Sequence, residues 1–160
     1  MQPHILSNCF GISYQQFTFP KNTGLSGSII NGTAKDSDEK AEAKVFMELL
    51  MPQEAEVLAS YDHYNWKEYA AITKNHYGKG TAIYIGCMTD DNTLKAVLTE
   101  ALNSAEVEIP EYSWPVIVRK GINDLNKCVR YILNYSAEEQ NVVYHGANGT
   151  ELFSEESVQD

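Results

Sequence analysis

The chain has 160 residues, a formal net charge of −10 and a sequence pI near 4.8. Its contents of 43% hydrophobic and 21% charged residues are typical of a folded protein, and no apolar run approaches the ~20 residues of a membrane-spanning helix. Because so acidic a surface repels the phosphates of nucleic acid and no cluster of Lys or Arg offsets it, nucleic acid is not an expected partner. The lack of a long apolar run means that a membrane is not expected either.

The chain has three cysteines, Cys9, Cys87 and Cys128, which share no metal-ligand spacing. An odd number without such spacing is typical of free thiols in a reducing compartment, not of a disulfide framework. The N-terminus shows no basic segment followed by an apolar core, so no secretory signal is predicted. We therefore expect a cytoplasmic protein.

The N-terminal third of the chain contains few regular patterns. Residues 28–32 predict a short strand that ends at an Asn-Gly turn, and residues 35–44 form a charged run that predicts a solvated loop or a weak helix. Residues 45–51 are apolar and end at Pro52. A strand and a short buried helical turn both fit this run, and we favour the strand.

The middle of the chain is the most regular part. Residues 56–61 predict a strand and residues 62–67 a loop that carries exposed aromatic side chains. Residues 69–76 and 81–86 are rich in β-branched and aromatic side chains and flank a Gly-Lys-Gly turn at residues 78–80, which predicts a β-hairpin.

The Gly-Lys-Gly turn invites comparison with a phosphate-binding loop. Such a loop needs a longer Gly-x-x-x-x-Gly-Lys-Ser/Thr segment that opens into a helix, whose N-terminal amides hold the phosphates. Here the turn leads into a predicted strand, so we interpret it as a hairpin turn.

The helix that follows is the clearest element of the sequence. Thr89, Asp90 and Asp91 supply an N-cap and place negative charge at the positive end of the helix dipole. The apolar residues that share one face at helical spacing are Leu94, Val97, Leu98, Ala101 and Leu102. Pro110 prevents any continuation of this helix.

The pattern changes after residue 109. Residues 109–115 contain two prolines and are interpreted as a linker. The remainder predicts an antiparallel meander, with strands at residues 116–119, 128–135, 142–145 and 150–153.

Cys87 stands at a predicted strand-to-helix junction, where a thiol gains acidity from the helix N-terminus. A nucleophile elbow needs small residues on both sides, yet Met88 follows, and Asp90 and Asp91 would oppose a thiolate. We interpret Cys87 as a structural residue.

Exposed aromatic side chains are the other candidates. Tyr64 and Trp66 on the predicted loop and Trp114 in the linker are candidates for stacking on a sugar or for forming an interface. For the loop pair, covering the edge of the domain's own core is an equally compatible role. The four histidines lack ligand spacing and the paired carboxylates lie in polar runs, so no catalytic residue and no metal site is predicted.

Three of the stretches described above carry a family resemblance. Residues 55–62 read Ala-Glu-Val-Leu-Ala-Ser-Tyr-Asp, and residues 69–87 read Tyr-Ala-Ala-Ile-Thr-Lys-Asn-His-Tyr-Gly-Lys-Gly-Thr-Ala-Ile-Tyr-Ile-Gly-Cys. Together they resemble the middle domain of glycoside hydrolase family 42 β-galactosidases. Residues 129–136, Val-Arg-Tyr-Ile-Leu-Asn-Tyr-Ser, are similar to the start of that family's small C-terminal β domain.

The resemblance implies a parent enzyme with a catalytic (β/α)₈ barrel, then a flavodoxin-like or glutamine-amidotransferase-like oligomerisation domain, then the β domain. Such enzymes are trimers that release β-linked galactose with retention, which needs two glutamates about 5–5.5 Å apart. No part of this chain resembles the barrel, so no catalytic residue is carried over and no cofactor is expected.

We therefore expect a mixed α/β, β-rich fold. Residues 1–109 would form part of a flavodoxin-like α/β domain, the later part of the oligomerisation domain, and residues 110–160 a small antiparallel β domain. The expected function is non-catalytic: self-association, as a trimer in the parent enzyme, and support of an active site for galactosides that lies elsewhere. The alternatives are a carbohydrate-binding module that uses its exposed aromatics, and a glutamine-amidotransferase-like enzyme with Cys87 as nucleophile.

Overall fold

The computed structural model describes residues 3–14, 16–31, 41–109 and 112–158. It divides the chain into two compact units, Met1–Ile109 and Pro110–Asp160, called here the first and second units. Most of the charged run at residues 35–44 lies outside the described residues, as do residues 110 and 111 of the predicted linker. The assignment of the units to named domains stays a prediction.

The first unit is built of short strands and one long helix. Its elements are a 3-10 helix (His4–Leu6), α1 (Ser7–Phe10), β1 (Ile12–Ser13), β2 (Phe17–Thr18), β3 (Gly24–Ser26), α2 (Ser28–Asn31), β4 (Ala43–Glu48), β5 (Met51–Pro52), β6 (Glu56–Asp62), β7 (Ala70–Tyr77), β8 (Gly80–Ile85), β9 (Cys87–Thr89) and α3 (Asp91–Ser104).

The strands of the first unit form two main sheets. The larger has the strand order β3-β6-β7-β8 and the smaller the order β2-β4-β9, while β1 pairs with β5. All of these pairs are antiparallel. The expected β-rich fold is therefore confirmed. The flavodoxin-like arrangement is not confirmed, because it needs parallel strands with several covering helices and the described strand pairs are antiparallel.

The hairpin of β7 and β8 is confirmed. Its register, which the sequence left open, runs from Tyr77 opposite Gly80 to Ile72 opposite Ile85. Gly78 opens the two-residue turn with a φ of +61°, a conformation that suits glycine and matches the twist of the flanking strands. The turn leads directly into β8, so it offers no helix N-terminus to a phosphate.

Both sheets of the first unit share one core. The larger cluster of buried apolar side chains draws residues from β3, β4, β6, β7, β9, α2 and α3. Within it the Tyr61 hydroxyl donates hydrogen bonds to the carbonyl oxygen of Glu48 at 2.9 Å and of Gly86 at 3.3 Å. A smaller cluster contains Ile12, Leu50 and Ala70. The first unit therefore has its own hydrophobic core.

Helix α3 begins as the sequence predicts. The Asp90 carboxylate accepts a hydrogen bond from the backbone N–H of Thr93 at 2.9 Å, which caps the helix. Only part of the apolar face is buried: Val97 lies in the core, whereas Leu94 and Leu98 are exposed. We call these two exposed leucines the helix stripe. Among the described helices, none is long and apolar enough to cross a membrane.

The predicted strand at residues 28–32 is wrong. Its described part, Ser28–Asn31, is the one-turn helix α2. Ile30 is buried in the core, and Ile29 packs against it. Four residues are too few for their spacing to separate a helix from a strand, so the tertiary contacts decide the conformation.

The second unit contains one long and one short antiparallel strand pair. Its strands are β10 (Val116–Ile122), β11 (Cys128–Asn134), β12 (Gly149–Thr150) and β13 (Ser157–Val158). The predicted hairpin of β10 and β11 is confirmed, with Val116 opposite Asn134 and Ile122 opposite Cys128. Of the strand predicted at residues 150–153, only Thr150 is in a strand.

The predicted strand at residues 142–145 is wrong. The Tyr112 hydroxyl donates a hydrogen bond to the carbonyl oxygen of Val143, and the Arg130 guanidinium donates one to the carbonyl oxygen of His145 at 3.0 Å. Side chains therefore take the backbone acceptors that a neighbouring strand would use, and the segment stays irregular.

Candidate functional site

Tyr64 and Trp66 lie on the loop between β6 and β7. The carbonyl oxygen of His63 closes this loop by accepting hydrogen bonds from the backbone N–H groups of Trp66 and Lys67, both at 3.0 Å. The Trp66 ring is half-buried and packs against the larger core cluster, 6.3 Å from the His63 ring between centroids. The Tyr64 side chain is 81% exposed. The loop thus uses Trp66 to cover the core and leaves Tyr64 in solvent.

Trp114 belongs to the second unit, where it lines a cavity of about 340 Å³. Its side chain is 72% exposed, and its ring centroid lies 5.7 Å from that of Tyr135 at an interplanar angle of 31°. The lining also includes Gln140 and Asn141, and the Gln140 amide donates a hydrogen bond to the Ser136 hydroxyl at 3.3 Å. Aromatic rings and amides are residue types found in ligand sites, and the sugar-binding role of Trp114 stays a prediction.

The environment of Cys87 does not support a nucleophile. The side chain is buried in β9, and burial raises the pKa of its thiol to about 11, with the negative charges of Asp90 and Glu48 acting in the same direction. A thiol with so high a pKa stays protonated at neutral pH, and the thiolate is the reactive form. Cys87 is therefore a poor candidate for the nucleophile of a glutamine-amidotransferase-like enzyme.

His63 and His76 are both engaged in local hydrogen bonds. His63 Nδ1 accepts from the backbone N–H of Asn65 at 3.2 Å, and His76 Nδ1 lies 3.3 Å from the Thr81 hydroxyl. In the part of the chain that the structure describes, no three His, Cys, Asp or Glu residues are grouped so that they could hold a metal ion.

The structure exposes one apolar surface that the sequence analysis did not single out. It lies on the smaller sheet, and we call it the outer sheet face; its residues are Phe17, Phe19, Val45, Phe46 and Met88. A signal was present in the run at residues 45–51, where consecutive apolar residues occupy both sides of a predicted strand. A strand that is apolar on both sides either lies fully inside a protein or leaves one apolar side for a partner.

Comparison with known proteins points to one family. Residues 2–108 match the family described as the β-galactosidase trimerisation domain. The chain is 28% identical over 146 residues to β-galactosidase Pbg of Clostridium perfringens, a match that covers 82% of this chain and 19% of the relative. β-Galactosidase BgaA of Planococcus sp. is 25% identical over 132 residues, with 81% of this chain and 19% of the relative covered.

Solved structures show the same fold. The β-galactosidase from Bacillus circulans sp. alkalophilus superposes with a TM-score of 0.74 at 17% identity, over 96% of this chain and 23% of that one. Gan42B, a GH42 β-galactosidase from G. stearothermophilus, gives a TM-score of 0.72 at 20% identity, over 96% and 22% of the two chains. The present chain spans about a fifth of the length of the curated relatives it matches.

Proposed function

The chain belongs to the β-galactosidase trimerisation domain family, and from this premise we propose that it holds together the subunits of a β-galactosidase-like glycoside hydrolase. The observation that carries the proposal is the match over residues 2–108, which extends over nearly the whole first unit. That unit has its own core and leaves apolar side chains of the smaller sheet uncovered. Exposed apolar patches of this kind mark surfaces that bind other proteins.

Under this proposal the catalytic site lies in a part of the parent enzyme other than these 160 residues. The relatives are named β-galactosidases, and this chain spans about a fifth of their length, so galactosides would be substrates of the parent and not of this chain alone. The first unit would be the later part of the oligomerisation domain, and residues 110–160 the family's C-terminal β domain. The parent enzyme would be cytoplasmic.

Sedimentation equilibrium of the 160-residue chain tests the association. We expect the apparent mass to rise with concentration from the chain mass of 17.9 kDa towards three times that value. A strictly monomeric profile at micromolar concentration contradicts the proposal.

Turnover of a nitrophenyl galactoside tests the absence of catalysis. We expect none from the purified chain. Measured turnover that disappears when a residue of this chain is mutated would show that the chain carries an active site of its own.

A second candidate function is sugar binding at Trp114, favoured by its exposed ring and the neighbouring amides. A Trp66→Phe variant leaves Trp114 as the sole tryptophan, because the chain has two. We expect galactose to change the emission of this variant, and no shift at millimolar galactose removes this candidate. Tyr64, the exposed aromatic of the loop, is the corresponding candidate for sugar or interface contacts in the first unit.

A further inference from the structure

We propose that the outer sheet face is the surface through which one copy of this chain binds another copy. The inference rests on the proposed function and assigns that function to particular side chains. All five residues of this face lie in the first unit and within the residues that match the trimerisation family.

The pairing of the strands places Phe46, Met88 and Phe17 on one side of the smaller sheet, and Val45, next to Phe46 in the chain, and Phe19, just after β2, are also exposed. Met47 lies opposite Cys87, and both are buried, so this pair marks the inner side. Side chains alternate along a strand, and therefore Phe46 and Met88, the neighbours of that pair, point to the other side. Both are exposed.

The third strand extends the same side. Thr18 of β2 lies opposite the buried Met47, and Phe17 lies opposite Glu48. Phe17 consequently shares the outer side with Phe46, and Phe19, two residues further on, is also exposed. The outer sheet face thus crosses all three strands, from the edge strand β2 to the edge strand β9.

The composition of the face fits contact between copies of an acidic chain. Each copy carries a formal net charge of −10, so copies repel one another unless they meet where carboxylates are few. The outer sheet face has three phenylalanines, a valine and a methionine, and on the same side the pairing places one lysine, Lys44 opposite Met88, and one carboxylate, Glu48 opposite Phe17, whose formal charges offset each other. Aromatic residues and methionine are enriched in the cores of protein interfaces, and acidic residues are depleted there.

The backbone at Val45 supports the assignment. Its φ is +60°, a left-handed conformation that is rare for a β-branched residue, and it lies at an irregularity in the pairing of β4 with β9. Yet the side chain is 64% exposed, so no packing within the described residues compensates for the strain. Strained residues cluster at functional sites, and contact with a second copy would bury this valine.

A pair of matched variants tests the assignment. Met88 of the outer sheet face is 50% exposed and Leu98 of the helix stripe is 54% exposed, so Met88→Glu and Leu98→Glu place a carboxylate at two equally open apolar positions. Both are measured in the full 160-residue chain by sedimentation equilibrium, with circular dichroism to verify folding. We expect Met88→Glu to weaken association by about a hundredfold, since a carboxylate would be buried at the interface, and Leu98→Glu to leave it within about twofold.

Phe17→Glu, on a different strand, is the second variant of the face and is expected to behave like Met88→Glu. It replaces Met88→Glu as the test if that variant does not fold. Association that survives in the folded variants of the face, or that Leu98→Glu weakens as strongly, overturns the assignment while leaving the proposed function intact. A wild-type chain that is monomeric overturns the proposed function itself, and the assignment with it.

Discussion

The two units bury their hairpins to very different extents. In the first unit, β7 contributes four consecutive buried residues, from Ala70 to Thr73, so both of its sides are covered. In the second unit, β11 is exposed along most of its length, and Val116 is the one buried residue among residues 112–158. Both hairpins are long, antiparallel and rich in apolar residues.

The difference shows that a hairpin does not make a core by itself. Two strands bury only the side that something covers, and an isolated pair is marginally stable in water. β7 lies between two other strands and packs in a cluster that includes side chains of α3, whereas among the described strands β10 and β11 pair only with each other. We therefore expect the first unit to hold most of the free energy of unfolding.

The largest effect on stability is expected when one isoleucine in each hairpin is replaced by alanine. Ile72 in β7 is fully buried and Ile132 in β11 is 39% exposed. We expect Ile72→Ala to lower the free energy of unfolding by about 2–5 kcal/mol, because it leaves a cavity in the core, and Ile132→Ala by less than about 1 kcal/mol.

The two tryptophans allow the units to be followed separately in urea. With Trp114→Phe, the emission of Trp66 reports the first unit, and with Trp66→Phe that of Trp114 reports the second. Each alanine variant is measured in the background that reports its own unit. Equal losses of stability for the two variants would contradict the conclusion that the first unit has a buried core and the second has almost none.

Asp90 in the first unit and Glu151 in the second both accept hydrogen bonds from backbone N–H groups, so they allow a second comparison of the two units. Burial alone would raise the pKa of Asp90, but hydrogen bonds from Thr93 and Thr89 lower the pKa below its ordinary value. In the second unit Glu151 accepts hydrogen bonds from the backbone N–H groups of Ser154 and Phe153, which lower its pKa, yet it is only half-buried. We expect Asp90→Ala to cost about 1 kcal/mol, and Glu151→Gln to leave the Tm unchanged.

The pH dependence follows from the direction of the Asp90 shift. A carboxyl whose pKa is lowered by folding stabilises the protein above its unfolded pKa of about 4, and this contribution is lost as the pH falls through the folded pKa. Asp90→Asn keeps a capping side chain but cannot titrate. The Tm advantage of wild type over Asp90→Asn is therefore expected at neutral pH and should shrink below about pH 4. A constant difference across this range would show that the Asp90 charge does not contribute.

Local signals in the sequence account for the elements that were predicted correctly. The glycine turn at residues 78–80 and the capping carboxylate at Asp90 act within a few residues of the structure they specify. Residues 28–31 and 142–145 were predicted wrongly because distant partners decide their conformation, the core around Ile30 and the hydroxyl of Tyr112. Such partners leave no pattern in the segment itself.

The surfaces were harder to predict than the strands. Tyr64 and Trp66 are two residues apart on one loop, yet only Trp66 packs against the core. The outer sheet face was missed for the same reason, since consecutive apolar residues in β4 do not reveal which of them the fold covers. Burial is a property of neighbours in space, and the sequence shows only neighbours along the chain.

The smallest expected effect concerns backbone strain in each unit. Val45 in the first unit and Asn126 in the second have nearly the same φ, +60° and +58°. Asparagine adopts this conformation readily in turns, whereas for valine it costs about 1–2 kcal/mol. Glycine relieves that cost but adds entropy to the unfolded chain, so we expect Val45→Gly to stabilise the chain by up to about 1 kcal/mol and Asn126→Gly to have almost no effect.

These two glycine variants are best compared by thermal unfolding at low protein concentration, where association adds little to the Tm. Under that condition the measurement isolates the backbone of the single chain. If the outer sheet face binds a second copy, Val45→Gly should raise the Tm of the dilute chain and weaken association at higher concentration, because it removes an interface side chain while relieving strain. A higher Tm in the dilute chain together with weaker association would show that the strain at Val45 is retained for binding. A lower Tm in the dilute chain would show instead that Val45 stabilises its own unit.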